Sequence, residues 1–154
     1  MTAAAQSPPG ALNPPPPLVA LISCPIAASL GTLGRKWTLT ILRDVAFRSP
    51  ASFSTILRNN PGLRQRTLSL RLRQLTREDL VERAPGENGS RRGGYRLTSK
   101  GQDIMPVLTA LMQFGIRHQA GRVFADRLPR EIEDLYPGNA DLMLGRLAEY
   151  ARRG

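Results

Sequence analysis

The chain has 154 residues, of which 41% are hydrophobic, and its 22 basic against 12 acidic residues give a formal net charge of +10. This hydrophobic share excludes a wholly disordered protein, and the length fits one domain with an appendage. No apolar run reaches the roughly 18 residues of a membrane-spanning helix, and no basic residue precedes Arg35 as a secretory signal would require. The sequence therefore predicts a cytoplasmic protein with no membrane partner.

The composition also argues against catalysis and metal binding. Cys24 and His118 are the only cysteine and the only histidine, which excludes a zinc site of familiar spacing. The sequence contains no P-loop and no glycine-rich dinucleotide fingerprint after a strand. We therefore expect no catalytic residue, no metal and no cofactor.

The positive charge lies in the middle of the chain. Residues 1–34 carry no charged side chain and residues 119–154 carry six arginines and six acids, whereas residues 35–118 carry sixteen basic residues against six acidic ones. Twenty of the 22 basic residues are arginine, whose planar guanidinium suits bidentate contact with phosphate or a guanine edge. This distribution indicates a nucleic-acid partner, although a solvated surface or attraction to an anionic membrane face would fit the charge alone.

A tail and two helices are predicted first along the chain. Residues 1–22 include two clusters of prolines and are expected to form a disordered tail. Pro25 suits the first position of a helix with Cys24 as its N-cap, and Gly34 marks the end of that helix. Apolar residues at three- and four-residue steps predict a second helix over residues 36–46.

Residues 52–78 have the pattern of a helix-turn-helix. Ser52 can cap a short helix, and the sequence Asn59-Asn60-Pro61-Gly62 is a strong signal for the turn that ends it. The next helix, predicted over residues 64–78, has a leucine stripe on one side and a basic face on the other. Because the second helix of such a motif enters the major groove, we predict DNA contacts from Arg64, Gln65, Arg66, Thr67, Ser69, Leu70 and Arg73.

These side chains differ in what they could recognise. Arginine and glutamine can form paired hydrogen bonds with guanine and adenine edges, while simple helix solubility is the alternative explanation for them. Leu70 fits contact with a thymine methyl group and an incidental surface position equally well. Which residue touches a base and which a phosphate stays open at this point.

A small β-hairpin is predicted after the helix-turn-helix. Residues 81–84 and 95–98 form short strands around a glycine-rich loop that resembles a wing, and such a hairpin must pack on the helices to be stable. Arg91, Arg92 and Arg96 are predicted to neutralise DNA phosphates, which positions the protein without reading the sequence.

The remaining residues are predicted to be helical. A long helix from Ser99 to about His118 has an apolar stripe wider than one small core needs, so a partner subunit could cover the excess. Residues 119–154 form a C-terminal helical extension, best explained as extra packing or a brace for a dimer. Its two predicted apolar faces are Phe124, Leu128, Ile132 and Leu135, and then Met143, Leu147 and Tyr150.

Several short motifs follow one another in order over residues 23–118. They are Cys24-Pro25, Gly34-Arg35-Lys36-Trp37, Pro61-Gly62-Leu63, Gln65-Arg66, Leu68-Ser69, Leu72-Arg73-Gln74-Leu75, Tyr95-Arg96-Leu97-Thr98-Ser99-Lys100-Gly101 and Pro106-Val107-Leu108. This stretch resembles the HxlR-type winged helix-turn-helix transcriptional regulators of bacteria and archaea. The resemblance implies a mainly α fold with a small β-hairpin wing, and a homodimer built through the N-terminal and post-wing helices.

The same resemblance implies a function and a switch. It implies transcriptional regulation, often repression, through a two-fold related DNA operator, with a small molecule or an electrophile as the effector. Some members look like sensors of electrophiles or oxidants through the cysteine that matches Cys24. Unpaired amides at a helix N-terminus would stabilise a thiolate there and raise its reactivity, whereas a small buried packing residue is the alternative.

Two positions depart from the family pattern. Arg64 stands where the family usually has a serine that could cap the helix, so the helix start is expected to be frayed or capped differently. Asp79 replaces a glycine, and aspartate adopts a left-handed backbone conformation less cheaply than glycine does.

The sequence as a whole predicts a non-enzymatic, sequence-specific DNA-binding regulator, a homodimeric repressor associated with the nucleoid. A sequence-neutral chromatin-type or RNA-binding protein is the alternative, but an aromatic share of 5% counts against stacking on RNA bases. A protein-interaction module that binds through its apolar helix faces is a third hypothesis.

Overall fold

The structure, a computed structural model, describes residues 15–86 and 93–138. Two strands pair as an antiparallel hairpin, with Val81 opposite Leu97 and Arg83 opposite Tyr95, and the other elements are helices. In chain order the elements are α1 (Pro25–Leu33), α2 (Thr38–Phe47), α3 (Phe53–Asn59), α4 (Gln65–Arg77), β1 (Val81–Arg83), β2 (Tyr95–Leu97), α5 (Ser99–Gln102), α6 (Met105–His118), α7 (Ala120–Val123) and α8 (Ile132–Leu135). The predicted mainly α fold with a small hairpin is confirmed.

Local signals in the sequence set the starts of the first helices. Cys24 is the N-cap of α1 in an extended conformation, and Ser52 caps α3 by accepting a hydrogen bond from the backbone N–H of Thr55 at 3.1 Å. Helix α2 begins at Thr38, two residues later than predicted, because Trp37 has a left-handed backbone with φ of 76°.

The core lies where α2, α3 and α4 meet the hairpin and the start of α6. Its most deeply buried side chains are Ile41, Leu42, Val45, Ile56, Leu68, Leu75 and Val81. A bridge between Ala51 and Tyr95 ties the hairpin to the connection between α2 and α3. Burial of a leucine or isoleucine side chain contributes about 1.5–3 kcal/mol, so this cluster fixes how α4 sits on the rest of the domain.

The single long helix predicted from Ser99 to His118 is wrong, since the structure divides it into α5 and α6. Thr98 caps α5, and Pro106 in the first turn of α6 lacks the N–H that a continuous helix would need. Gly101 packs closely against Leu80, the residue before β1, and a Cβ atom at position 101 would lie 1.9 Å from the carbonyl oxygen of Leu80. The break therefore seats α5 against the hairpin.

The continuous helical face predicted for residues 124–135 is also wrong. The single turn α7 ends at Val123, before this range, and within it the one helix is the single turn α8; Leu128 is 60% exposed. Pro129 disfavours a helical backbone at the preceding residue, and Arg127 adopts a left-handed φ of 60°. Phe124, Ile132 and Leu135 nevertheless pack in one small cluster with Ile116 and Met112 of α6. The predicted face of Met143, Leu147 and Tyr150 lies outside the described residues.

Candidate nucleic-acid interface

Helix α4 has a buried face and an exposed face. Leu68, Leu72 and Leu75 are buried in the core. Of the seven predicted DNA-contacting residues of this region, Thr67 and Ser69 are half-buried at the flanks of the helix, and the other five are exposed at its start or on the side away from the leucines: Arg64, Gln65, Arg66, Leu70 and Arg73. The structure thus brings these residues together on one surface, which we call the α4 outer face.

The arginines of the α4 outer face have no neutralising partner in the described part of the chain. The ion pairs among the described residues all lie elsewhere, and they join Arg43 to Asp44, Arg96 to Glu82, Arg117 to Glu131 and Arg130 to Asp126. Helix α4 itself contains no acidic residue. The guanidinium groups of Arg64, Arg66 and Arg73 are therefore available to an external anion.

Arg71, on the same helix, differs from these arginines because its guanidinium is hydrogen-bonded within the chain. Its Nε donates a hydrogen bond to the carbonyl oxygen of Lys36 at 3.1 Å, and its Nη1 donates to Oε1 of Gln74 at 2.7 Å. Arg71 thereby links α4 to the connection between α1 and α2. It supports the helix and does not belong to the α4 outer face.

The start of α4 is open to an anion. Arg64 is the N-cap in an extended conformation, and its side chain makes no capping hydrogen bond, in keeping with the expected effect of arginine at this position. The first intrahelical bond is donated by the N–H of Leu68 to the carbonyl of Arg64. Free N–H groups in the first turn, together with the helix dipole, make such an N-terminus a phosphate-binding feature.

A buried polar network holds the turn before α4, and the sequence predictions missed it. Asp44 and Asn60 are both buried, and Nδ2 of Asn60 donates to Oδ2 of Asp44 at 2.6 Å and to the carbonyl of Ile56 at 2.8 Å. Arg43 donates from Nη2 to the Asp44 carboxylate at 3.0 Å and to Oδ1 of Asn60 at 3.2 Å. The available signal was a lone acid among the buried apolar positions of α2.

The turn itself depends on one glycine. Gly62 has a φ of 91°, a conformation that other residues adopt only with strain. A Cβ atom at this position would lie 3.9 Å from the ring of Trp37, an ordinary contact, so backbone conformation is what requires glycine here.

The hairpin contributes further arginines, in part different from the predicted ones. Arg91 and Arg92 lie outside the described residues. Arg96 is half exposed, but its Nε is bonded to Oε1 of Glu82 at 2.6 Å across the hairpin, so a phosphate would compete with that carboxylate.

A groove of about 590 Å³ separates α4 from the hairpin. Its lining includes Ser69, Arg73, Arg77, Arg83 and Tyr95, and the guanidinium of Arg83 lies 4.9 Å from the centroid of the Tyr95 ring. Arg77 and Arg83 were absent from the predicted contacts. Arg77 could have been included because it follows Arg73 by one helical turn, whereas the position of Arg83 depends on the strand register.

Cys24 lies far along the chain from this surface. It is exposed at the N-cap of α1, and its side chain makes no capping bond. The alternative prediction of a buried packing residue is therefore wrong for the described chain. An exposed thiol at a helix N-terminus is accessible to reagents.

Asp79 adopts a left-handed φ of 58°, as its replacement of the family's glycine implied. Its carbonyl oxygen accepts a hydrogen bond from the hydroxyl of Thr98. This bond ties the end of α4 to the start of α5.

Comparison with known proteins identifies the domain. The profile of the HxlR-like helix-turn-helix family matches residues 32–122, which is more than half of the chain. The chain belongs to this family. No helix among the described residues is long and apolar enough to span a membrane.

The HxlR-like relatives are named as regulators of transcription. An uncharacterised HTH-type transcriptional regulator of Mycobacterium tuberculosis is 39% identical over 90 residues, which cover 58% of this chain and 56% of the relative. One from Synechocystis is 35% identical over 92 residues, which cover 60% of this chain and 67% of the relative. The chain thus spans little more than half the length of the Mycobacterium relative.

A solved structure supports the winged helix-turn-helix fold. The reduced form of the transcriptional regulator YodB from Bacillus subtilis superposes with a TM-score of 0.52 at 25% identity. The match covers 61% of this chain and 92% of YodB. The fold predicted from the sequence is confirmed by this likeness together with the family match.

Proposed function

We propose that the protein is a regulator of transcription that binds double-stranded DNA, with α4 in the major groove and the hairpin as a wing beside it. The observation that carries this proposal is the α4 outer face, where exposed arginines have no carboxylate partner in the described chain. Gln65 and Arg66 at the helix start are suited to base edges, and Arg77 and Arg83 to phosphates. Residues 23–118 form the DNA-binding domain, which would act at the nucleoid in the cytoplasm.

Exposed apolar side chains support a homodimer. Helix α1 buries none of its residues, and Ile26 and Leu30 are exposed on it. Val107, Leu111 and Phe114 are exposed on α6, and a groove of about 750 Å³ lies between the two helices. A second copy is the proposed occupant, because burial of these faces in a two-fold pair presents two α4 helices to a pseudo-palindromic operator.

Binding to the duplex upstream of its own gene tests this proposal. Fluorescence anisotropy should give an affinity at least about 1,000-fold higher than for a shuffled duplex at the same salt concentration. Equal affinity for both duplexes would instead support a sequence-neutral nucleic-acid-binding protein. Transcription of that promoter in a purified system should fall when the protein is added, as expected of a repressor.

The dimer has its own test. Light scattering should give the mass of two chains for the wild type and of one chain for Leu111→Glu, which puts a charge on the exposed face of α6. Dimeric Leu111→Glu would contradict the proposed interface. A monomeric wild type would remove the two-fold operator from the proposal.

We further propose that Cys24 is the position of a thiol switch. Its exposure and its place at the start of α1 support this role, since α1 is also part of the proposed dimer interface. A quinone is a suitable electrophile: the sulfur adds to a ring carbon, the S–H bond and the C–H bond at that carbon break, and both protons end on the quinone oxygens, so that the product is a thioether of a hydroquinone. DNA affinity should then fall for the wild type and stay constant for Cys24→Ser, and an equal response of both would refute the switch.

A further inference from the structure

A second groove lies between the end of α2, α6 and the end of α8. Its volume is about 550 Å³, within the range of small-molecule sites. No residue of α4 lines it; the lining is formed by Arg43, Asp44, Phe47, Arg48, Met112 and Tyr136, together with Asn59. The groove therefore joins the helix-turn-helix to the elements that follow the wing, at a place distinct from the α4 outer face.

The groove combines aromatic surface with positive charge. Phe47 and Tyr136 are 39% and 43% exposed, so both rings present apolar surface to the groove. The guanidinium of Arg48 makes no ion pair with any carboxylate of the described residues. Aromatic rings and a guanidinium that line one groove suit a ligand that is itself part aromatic and part anionic.

The charges around the groove sum to a single positive charge. The carboxylate of Asp44 is balanced by Arg43, and Asn59 and Asn60 also donate hydrogen bonds to it. Nη1 of Arg43 makes no hydrogen bond within the described chain, because Nε and Nη2 carry the bonds of this side chain. With Asp44 neutralised, Arg48 is the uncompensated charge, and it matches a monoanion.

We propose that this groove binds a small aromatic carboxylate as an effector, with its ring against Phe47 and Tyr136 and its carboxylate on Arg48 and the free edge of Arg43. Binding itself is independent of the function proposed above. The effect on DNA binding rests on that function.

The polar network offers a route from the groove to α4. Arg43 bonds both to Asp44 and to Asn60, and the carbonyl of Asn60 accepts the N–H of Leu63 in the turn that leads into α4. A ligand carboxylate on the free Nη1 edge of Arg43 draws the same guanidinium away from Asp44 and Asn60, to which its Nε and Nη2 are bonded. The bonds that hold Asn60, and with them the position of α4, then differ between the free and the bound protein.

Calorimetric titration of the full-length protein with benzoate, without DNA, tests the site. Benzamide has the same shape without the charge, and acetate has the charge without the ring. We expect benzoate to bind at least about tenfold more tightly than either, because both the ring and the charge are recognised. Failure of benzoate to bind at millimolar concentration, or equal binding of benzamide, would overturn the proposal.

Two arginine variants test whether benzoate binds in this groove. Arg48→Gln should weaken benzoate at least about tenfold, whereas Arg122→Gln, which removes an exposed arginine outside the groove, should leave it unchanged. Circular dichroism checks that both variants are folded. Benzoate binding that Arg48→Gln leaves at the wild-type level would show that the ligand sits elsewhere and would overturn the assignment.

A DNA-binding measurement separates the effector role from the site. At constant ionic strength, saturating benzoate should change the affinity of the wild type for its upstream duplex at least about threefold and leave that of Arg48→Gln unchanged. An unchanged wild type that still binds benzoate would overturn the coupling. Without benzoate, Arg48→Gln should bind DNA as the wild type does; a loss would assign Arg48 to a phosphate contact and overturn the proposal.

Discussion

The α4 outer face and the segment from residue 117 to residue 134 are both rich in arginine, but their arginines have different neighbours. In the C-terminal segment Arg117 donates from Nε to Oε1 of Glu131 at 2.8 Å, and Arg130 pairs with Asp126. On α4 no acid of the described chain pairs with Arg66 or Arg73. Arginine content alone therefore does not identify a candidate nucleic-acid surface, because Arg117 and Arg130 are already paired with carboxylates.

The electrostatics of the C-terminal pairs follow from their geometry. Arg117 and Arg130 donate hydrogen bonds to the carboxylates of Glu131 and Asp126, and these bonds raise the pKa of both guanidinium groups above its ordinary value. Such guanidinium groups would have to give up a carboxylate to bind a phosphate. Among the described residues, no carboxylate pairs with the arginines of the α4 outer face, so they would give up only water.

Removal of two arginines from each region tests the contrast most strongly. Arg66→Ala/Arg73→Ala should lower the affinity for the upstream duplex about 100-fold or more, since each good bidentate base contact is worth about 1–3 kcal/mol. The matched control, Arg117→Ala/Arg130→Ala, removes the same charge and should change the affinity by only about twofold through screened long-range attraction. Anisotropy at one fixed salt concentration measures both, and equal losses would mean that net charge alone drives binding.

Backbone conformation distinguishes the glycine of the turn before α4 from Gly121 of the C-terminal segment. Gly62→Ala should lower the free energy of unfolding by about 1–2 kcal/mol, because Gly62 has a left-handed φ of 91°. Gly121→Ala in α7 meets no atom within 4 Å and has no positive φ, so it should be neutral or slightly stabilising. Urea denaturation gives both values, and equal stability of the two variants would show that the turn relaxes freely.

A paired arginine of the hairpin can be turned into an unpaired one. Glu82→Gln removes the carboxylate bonded to Arg96, and the slope of log affinity against log salt should steepen by about 0.9 if Arg96 then meets one phosphate. Glu131→Gln frees Arg117 in the same way but outside the proposed interface, and its slope should match that of the wild type. An unchanged slope for Glu82→Gln would remove Arg96 from the proposed contacts.

Local patterns predicted the framework of the fold correctly. The cap at Ser52, the turn at Gly62 and the leucine stripe of α4 depend on residues a few positions apart, so their spacing determines them. The same spacing predicted that the basic residues of α4 lie on the side away from the leucine stripe. The interruptions at Pro106 and Pro129 are also visible in the sequence, but apolar periodicity alone does not register a missing backbone N–H group.

Contacts between distant residues could not be predicted in this way. Glu82 and Arg96 are 14 positions apart and meet only through the register of the hairpin, and Arg71 reaches the carbonyl of Lys36 over 35 positions. Asp44 finds Asn60 only after α2 and α3 have packed. Whether an arginine is free or occupied is decided by such long-range contacts, and for that reason the candidate site needed the structure.

The smallest expected effect concerns pH and the pair of Asp126 and Arg130. The hydrogen bond from the Arg130 side chain, with a second from the N–H of Leu128, lowers the pKa of Asp126 from 3.8 to about 2. A lowered folded-state pKa means that the stabilisation is fully present above pH 3.8 and is lost as the pH falls through about 2. The pair therefore stays charged at the neutral pH where DNA would bind.

Titration of the Asp126 carboxyl carbon by NMR should give a midpoint near 2 in the wild type and one closer to 3.8 in Arg130→Gln. Arg66→Gln, which removes an arginine of the α4 outer face, should leave that midpoint where it is in the wild type. A wild-type midpoint near 3.8 would mean that Arg130 is not held by Asp126 in solution. Arg130 would then be as available as Arg66, and exclusion of the C-terminal segment from DNA contact would need a cause other than pairing.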